Sequence, residues 1–283
     1  MPERLETVGY GALSDRDFRR LSEYIERELG IRMPDTKRVM LESRLQKRVR
    51  LLGLDGFPAY VDYVFSDEGS RHEILNMIDA VTTNKTDFFR EADHFDFIER
   101  TLVPEAMVAG GGRPLRFWSA GCSTGEEPYT LAMVLEESRA DHRGLEYSIV
   151  ASDISTAVLQ KAITAVYDEE RVSDVPVSFR KKYLLRSKDR APARVRIRPE
   201  LRARVEFVRV NLMDDRYPVE GSFDAVFCRN VIIYFERPTQ ERILRRLVDH
   251  VRPDGYLVLG HSETLTGMDM PLKSVAPTIY RKT

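Results

Sequence analysis

The residues best placed to do chemistry lie in one stretch, Trp118-Ser119-Ala120-Gly121-Cys122-Ser123-Thr124-Gly125-Glu126-Glu127-Pro128-Tyr129. Gly121 and Gly125 are the residue type used where backbone turns tightly or approaches a ligand. Residues 115–118 before them suit a buried strand, and Leu131, Met133, Val134 and Leu135 after them suit a helix packed on a sheet. Strand, glycine turn and helix hold nucleotide-like cofactors in open α/β sheets. The spacing is not G-x-G-x-x-G, and Glu126 and Glu127 fall where a pyrophosphate would have to lie. Like charges ~4 Å apart repel by several kcal/mol at an effective dielectric near 20, which disfavours a phosphate cofactor. A cofactor without phosphate, with a cationic centre and ribose hydroxyls, is favoured, and S-adenosylmethionine has all three. Pro128 suits the first helical position and biases Glu127 away from helical backbone, so Glu127 is expected in the loop, facing the site. The two acids could also simply complement the positive end of the helix.

Asp153 is the second chemical signal. It lies about 30 residues beyond the glycine turn, at the end of a strand predicted over residues 147–151, where an acid accepts hydrogen bonds from ribose hydroxyls. The other reading is an N-cap for the helix that follows, a role open to Ser155.

These residues need a frame, and from Leu115 onward strands and helices alternate, the mark of a parallel sheet. Further strands are predicted at 205–210, 223–228 and 256–259, with a helix over 238–251 ended by a turn at Pro253-Asp254-Gly255. The pairs Asn211-Leu212, Arg229-Asn230 and Gly260-His261 follow strand ends, so they converge on the rim toward which Gly121 and Asp153 point. Residues 271–282 read as an edge hairpin. Residues 180–204 are dense in Lys and Arg, with short strands near 183–185 and 195–197, and read equally as an edge decoration or a partner-binding surface.

Residues 13–78 carry no strand signal. Ser14 can cap a helix through Phe18, Leu21, Ile25 and Leu29 that stops at Gly30. A second helix starts at Asp35 or Thr36, a third at Phe57-Pro58, and a fourth spans 71–81 with Ile74, Leu75 and Ile78 inward. The second contains Lys37, Arg38, Arg44, Lys47, Arg48 and Arg50 against one acid, Glu42, and reads as a solvated face or a docking face for an acidic partner. Residues 82–91, rich in hydroxyls and amides, suit a junction.

The 283 residues allow two domains, and 42% apolar residues with a net charge of −1 give no case for bulk attraction to nucleic acid or membrane. No apolar run approaches the ~20 residues of a membrane span, and the N-terminus lacks the form of a secretory signal. Cys122 and Cys228 match no metal spacing and read as packing residues of a reduced, cytoplasmic protein; no metal ligand set is expected.

Five blocks in order resemble the CheR-type chemotaxis receptor methyltransferases. They are Thr82-Thr83-Asn84-Lys85-Thr86-Asp87-Phe88-Phe89-Arg90-Glu91; Ser123-Thr124-Gly125-Glu126-Glu127-Pro128-Tyr129; Ala151-Ser152-Asp153-Ile154; Phe223-Asp224-Ala225-Val226-Phe227-Cys228-Arg229-Asn230-Val231-Ile232-Ile233-Tyr234-Phe235 with Pro253-Asp254-Gly255; and Gly260-His261-Ser262-Glu263. The resemblance covers nearly the whole chain. It implies an α/β fold: a Rossmann-like class I methyltransferase sheet with an inserted small β-subdomain at about 172–204 and an all-helical N-terminal domain. The divisions expected are 1–81, a junction at 82–114, and 115–283.

The implied activity is methyl transfer from S-adenosylmethionine to glutamate side chains of membrane chemoreceptors. By motif, Asn84, Thr86, Arg90, Gly121, Glu127, Asp153, Asn211, Leu212, Arg229 and Asn230 would hold the cofactor, with Arg90 and Tyr234 nearest the chemistry. The implied partner is the cytoplasmic domain of a chemoreceptor, met by the basic helix 37–50, with no nucleic acid, no membrane insertion and a monomeric enzyme expected. Some family members grip a receptor C-terminal peptide with the β-subdomain. Those members tend to have glycines in its hairpin turn, and residues 187–193 here have none, so at most weak peptide binding is expected. Two alternatives remain: a methyltransferase for nucleic-acid amines or small molecules, disfavoured because Asn230-Val231-Ile232-Ile233-Tyr234 is not Asn-Pro-Pro-Tyr, and a silent S-adenosylmethionine-sensing scaffold.

Overall fold

The computed structural model describes residues 11–109, 112–190 and 192–283. The chain divides into two compact units, Met1–Thr83 and Asn84–Thr283. Within the first, α1 (Asp15–Leu29) starts where the Ser14 hydroxyl accepts the Asp17 N–H and stops at Gly30, φ 67°. It buries Phe18, Leu21, Ile25 and Leu29, the face its spacing predicts. After a short 3₁₀ turn, Asp35–Lys37, come α2 (Arg38–Leu51), burying Leu41, Leu45 and Val49, and α3 (Phe57–Val64).

The predicted fourth helix is two, α4 (Asp67–His72) and α5 (Ile74–Val81), broken at Glu73. The Glu73 carboxylate, 2% exposed, takes a bidentate bond from Arg48 at 2.8 and 2.7 Å and a third from the Tyr60 hydroxyl. Helix α5 is thereby rotated so that Met77 is buried and Leu75, expected inward, is exposed. The basic stripe is also largely spent inside this unit. Arg38 pairs with Asp15 at 2.7 Å, and Arg44 caps the end of α5 through the carbonyls of Val81 and Thr82. Of the six bases of 37–50, Lys47 and Arg50 are the fully exposed ones.

The second unit opens on α6 (Asp93–Phe97) and α7 (Val103–Val108), joined without a break by a π-helical turn, Ile98–Leu102. There follow β1 (Leu115–Ala120), α8 (Glu126–Asp141), β2 (Tyr147–Asp153), α9 (Thr156–Thr164), β3 (Val166–Asp168), α10 (Val177–Tyr183), β4 (Leu184–Arg190), β5 (Ala193–Ile197) and α11 (Pro199–Arg202). The chain closes with β6 (Val205–Arg209), β7 (Phe223–Cys228), α12 (Arg237–His250), β8 (Val251–Leu259), β9 (Leu272–Ala276) and β10 (Ile279–Lys282). The main sheet runs β6-β2-β1-β7-β8-β10-β9, parallel from β6 to β8, with the final hairpin antiparallel at its edge.

Both faces of the sheet are covered. Phe117, Ile149, Ala225, Phe227 and Val258 belong to one core, and Trp118, Ala120, Val226, Cys228 and Leu259 to the other. Burial on both faces is why apolar residues stand at successive positions, Phe117-Trp118 in β1 and Ala225 to Cys228 in β7, rather than at every second one. Pro253-Asp254-Gly255 is a bulge inside β8 rather than a turn before it: Phe223 pairs with Val251 but Ala225 with Tyr256. The residues between accommodate Asp254 at φ 60°. A second sheet, β3-β5-β4, joins the two strands of the basic insertion to β3, which precedes the expected bounds 172–204 and had no sequence signal.

Candidate active site

The strand order reverses between β1 and β7, and the crevice outside their carboxyl ends is where an open α/β sheet binds ligands. At that point Gly121, φ 87°, has no room for a side chain, since a Cβ would sit 2.4 Å from Val231 Cγ2. The loops after β1 and β7 therefore touch.

The glycine turn is fastened to β2. The N–H groups of Gly121 and Cys122 both donate to the Ser152 carbonyl, at 2.7 and 2.8 Å. Ser123 N–H donates to Asp153 Oδ2 at 2.9 Å, and Ser155 N–H to Oδ1 at 3.0 Å. Ser155 caps α9 through Val158 N–H, so Asp153 is not the cap. The Asp153 carboxylate thereby ties the glycine turn to the start of α9. The Ser123 hydroxyl donates to the Asn84 carbonyl at 3.0 Å, which brings the 84–91 segment to the same turn.

Glu126 and Glu127 part company. Helix α8 begins at Glu126, so Glu127 lies in its first turn and not in the loop. Pro128 is tolerated because the first four helical N–H groups have no intrahelical partner, which removes the expected bias. Glu126, 1% exposed, turns away to Arg171 at 2.7 Å and to the Thr124 hydroxyl. Arg171 also donates to the Thr86 carbonyl at 2.6 Å, fixing that residue. Glu127 faces the crevice, accepting from the Ser119 hydroxyl at 2.6 Å and from Arg229 at 3.0 Å.

Arg229 joins three parts of the rim. Its side chain is 2% exposed, bonded to Glu127 through Nη1 and, through Nη2, to Glu91 at 3.0 Å and to the Arg90 carbonyl. Burial works against charge on Glu91, yet the Arg229 guanidinium and the Asn230 amide hold its carboxyl below the usual range. The segment is tightly bent, with Phe89 at φ 55° and Glu91 at φ 54° on either side of Arg90. The half-buried Arg90 guanidinium donates to the Lys85 carbonyl at 3.3 Å.

Beyond β7, Asn230 takes φ 58° and its Nδ2 donates to Glu91 Oε1 at 3.3 Å. Four backbone N–H groups converge on Glu263: Val231 and Ile232 on Oε1, both at 2.9 Å, and Asn230 and Gly260 on Oε2, at 2.9 and 2.6 Å. Gly260 is needed there because a Cβ would lie 2.6 Å from Asn230 Nδ2. The turn so held leads into the 3₁₀ segment Ile232–Tyr234, which carries the half-buried Tyr234. Beyond β6, Asn211 Oδ1 accepts the Met213 N–H at 3.0 Å, and the Leu212 carbonyl accepts the Tyr217 hydroxyl.

Gly121, Glu127, Asp153, Arg229 and Asn230 thus meet at one rim with the 84–91 segment. Glu91, Ser119, Ser123, Arg171 and Glu263 are additions for which the sequence offered no role, although Glu91 and Glu263 end two of the motif blocks. The residues suit S-adenosylmethionine: the carboxylates Glu127 and Asp153 have the chemistry to meet hydroxyl and ammonium groups, and the glycine turn has room for a backbone approach. Cys122 and Cys228 are buried, and burial pushes both thiols well up, so they serve packing.

A parallel sheet that reverses at this point, covered on both faces and rimmed by these acids, defines a class I S-adenosylmethionine-dependent methyltransferase. Two family models match: the CheR methyltransferase, SAM binding domain over residues 84–281, and the CheR methyltransferase, all-alpha domain over 16–82. The chain belongs to the CheR methyltransferase family. It is 41% identical over 280 residues to the chemotaxis protein methyltransferase of Escherichia coli, covering 99% of this chain and 93% of that one. The chemotaxis protein methyltransferase of Borreliella burgdorferi is 35% identical, covering 94% of each chain. Chemotaxis protein methyltransferase 2 of Pseudomonas aeruginosa is 40% identical, covering 93% of this chain and 92% of that one. Among the described residues no helix is long and apolar enough to cross a membrane.

Proposed function

We propose that this enzyme acts in the cytoplasm and esterifies glutamate side chains on the cytoplasmic domains of chemoreceptors, with S-adenosylmethionine as methyl donor. The observation that carries the site assignment is the fixing of Arg90: its carbonyl is held by Arg229 from the end of β7, between two residues of positive φ. A donor sulfonium supplies both the methyl group and a neutral leaving group. A glutamate carboxyl in water titrates at ~4.3, so the acceptor is already ionised at neutral pH and the enzyme needs no general base. What the chain supplies is in-line placement, which can lower a barrier by roughly 7–11 kcal/mol.

In this reading Asp153 accepts the ribose hydroxyls, and Glu127 with the Asn84–Thr86 backbone holds the amino-acid end. Asn211, Leu212 and Asn230 close the pocket, and Arg229 acts by positioning. Arg90 orients the incoming carboxylate and Tyr234 gives it a second hydrogen bond. Residues 1–81 dock the receptor, and 115–283 carry the transferase together with the 84–91 segment of the expected junction 82–114. The enzyme works as a monomer. Receptor contact falls to Lys47 and Arg50 of α2, because Arg44 and Arg48 are occupied internally. The hairpin turn of the basic insertion includes Ala191, outside the described residues, and with no glycine nearby it binds a receptor C-terminal peptide weakly at most.

The deciding experiment is transfer of radiolabelled methyl to receptor-enriched membranes, followed by base-labile release of methanol. Label that resists base, or none at all, overturns the proposal.

A further inference from the structure

Glu91, His94 and His261 each present a ligating atom to the others, all within 4.8 Å. His94 is fully buried, and its Nδ1 has no hydrogen-bond partner among the described residues. Its Nε2 lies 2.9 Å from the Thr278 hydroxyl, which holds the ring. The Nδ1 faces Glu91 Oε2 at 3.6 Å, too long for a hydrogen bond. A buried ring nitrogen without a hydrogen-bond partner, turned toward a carboxylate beyond hydrogen-bond reach, is an arrangement that a bound cation would complete.

The surroundings favour the same conclusion. His261 Nε2 is held by Asp93 at 3.1 Å, leaving Nδ1 to ligate, and the two imidazoles meet edge to face at 5.0 Å. An imidazole fixed through its far nitrogen by a carboxylate or hydroxyl is how metal-binding histidines are oriented. Charge is unbalanced too. Arg229 is shared between Glu91 and Glu127, and Asp93 adds a third carboxylate. With zinc–ligand bonds of ~2.0–2.2 Å, tetrahedral ligand atoms sit roughly 3.4 Å apart. Glu91 and His94 lie close to that spacing, and a small shift of His261, half exposed, would complete the set.

We propose that Glu91, His94 and His261 form a binding site for a divalent first-row transition metal of the zinc type. The ion would clasp the Arg90 segment to the loop after β8, and the fourth position would face solvent beside His261. The site adjoins the rim through Glu91, which also meets Arg229 and Asn230, while none of the three ligands is assigned a step in the methyl transfer.

The test is calorimetric titration of the full chain with Zn²⁺ alone near pH 7.5, with Co²⁺ substitution followed by visible absorption. One ion per chain is expected, with a tetrahedral Co²⁺ spectrum and affinity at least tenfold weaker in His261→Ala. His261 is half exposed, so that variant should fold even where His94→Gln does not. No binding below millimolar Zn²⁺, or binding unchanged in His261→Ala, overturns the proposal.

Discussion

The Glu263 carboxylate reaches back across the strand ends to Asn230, whose backbone N–H it accepts at 2.9 Å while three more backbone donors share its two oxygens. One buried side chain thus sets the turn that leads from β7 to Tyr234. A carboxylate suits this post because it is acceptor-only.

Glu263→Gln replaces one acceptor oxygen with an NH₂ that meets N–H groups head on. Unsatisfied buried donors cost ~1–3 kcal/mol each. A stability loss of about 2–3 kcal/mol is expected, with kcat for methyl transfer falling at least tenfold. Denaturant melts and initial rates measure both, and an unchanged kcat in a folded variant counts against the positioning role.

Breaking the Arg229 junction should be more severe. Arg229→Met leaves Glu91 and Glu127 without their shared cation, and losing one partner of a buried pair costs about 3–5 kcal/mol. S-adenosylmethionine affinity, read by calorimetry, should fall together with the melting temperature. The single change Glu127→Gln should lower affinity with a smaller loss of stability.

Arg90→Ala and Tyr234→Phe separate chemistry from binding. Each should reduce kcat at saturating cofactor by tenfold or more while both variants keep their melting temperature. Wild-type rates in both would remove these residues from the reaction.

Charge reversal on α2 should depend on position. Lys47→Glu with Arg50→Glu should raise the apparent KM for receptor and spare cofactor binding, because both side chains are exposed. Arg48→Glu should instead unfold the helical unit, since it places a second acid against buried Glu73. Receptor kinetics beside melts of the helical unit distinguish the two outcomes.

Local signals in the sequence carried far and then stopped. Helix α1 was legible to the residue because Ser14 and Gly30 are cap residues acting on their own neighbours. The rim pairs after β6, β7 and β8 could be placed because strand ends are where apolar runs stop, but of the two acids only Glu127 faces the crevice, Glu126 turning away to Arg171. Pro128 misled, since its effect on Glu127 depends on where the helix begins. The Glu73 break, the β8 bulge and the hub at Glu263 were not legible, because each is set by partners far along the chain. The basic helix shows the same limit: six charges mark a face, but whether they meet water or Glu73 is decided by packing.

The backbone around the rim has a further consequence. Phe89, Glu91 and Asn230 all hold φ between 54° and 58°, a region where glycine would rest more easily. Glycine at Asn230 would relieve the backbone at that φ but add unfolded-chain entropy, leaving stability within about 1 kcal/mol, while removing the amide that meets Glu91. Stability alone therefore does not hold Asn230 in place. Selection for heat resistance alone should erode activity first at Asn230, while the caps of α1 and the two faces of the sheet could be improved without cost to the reaction.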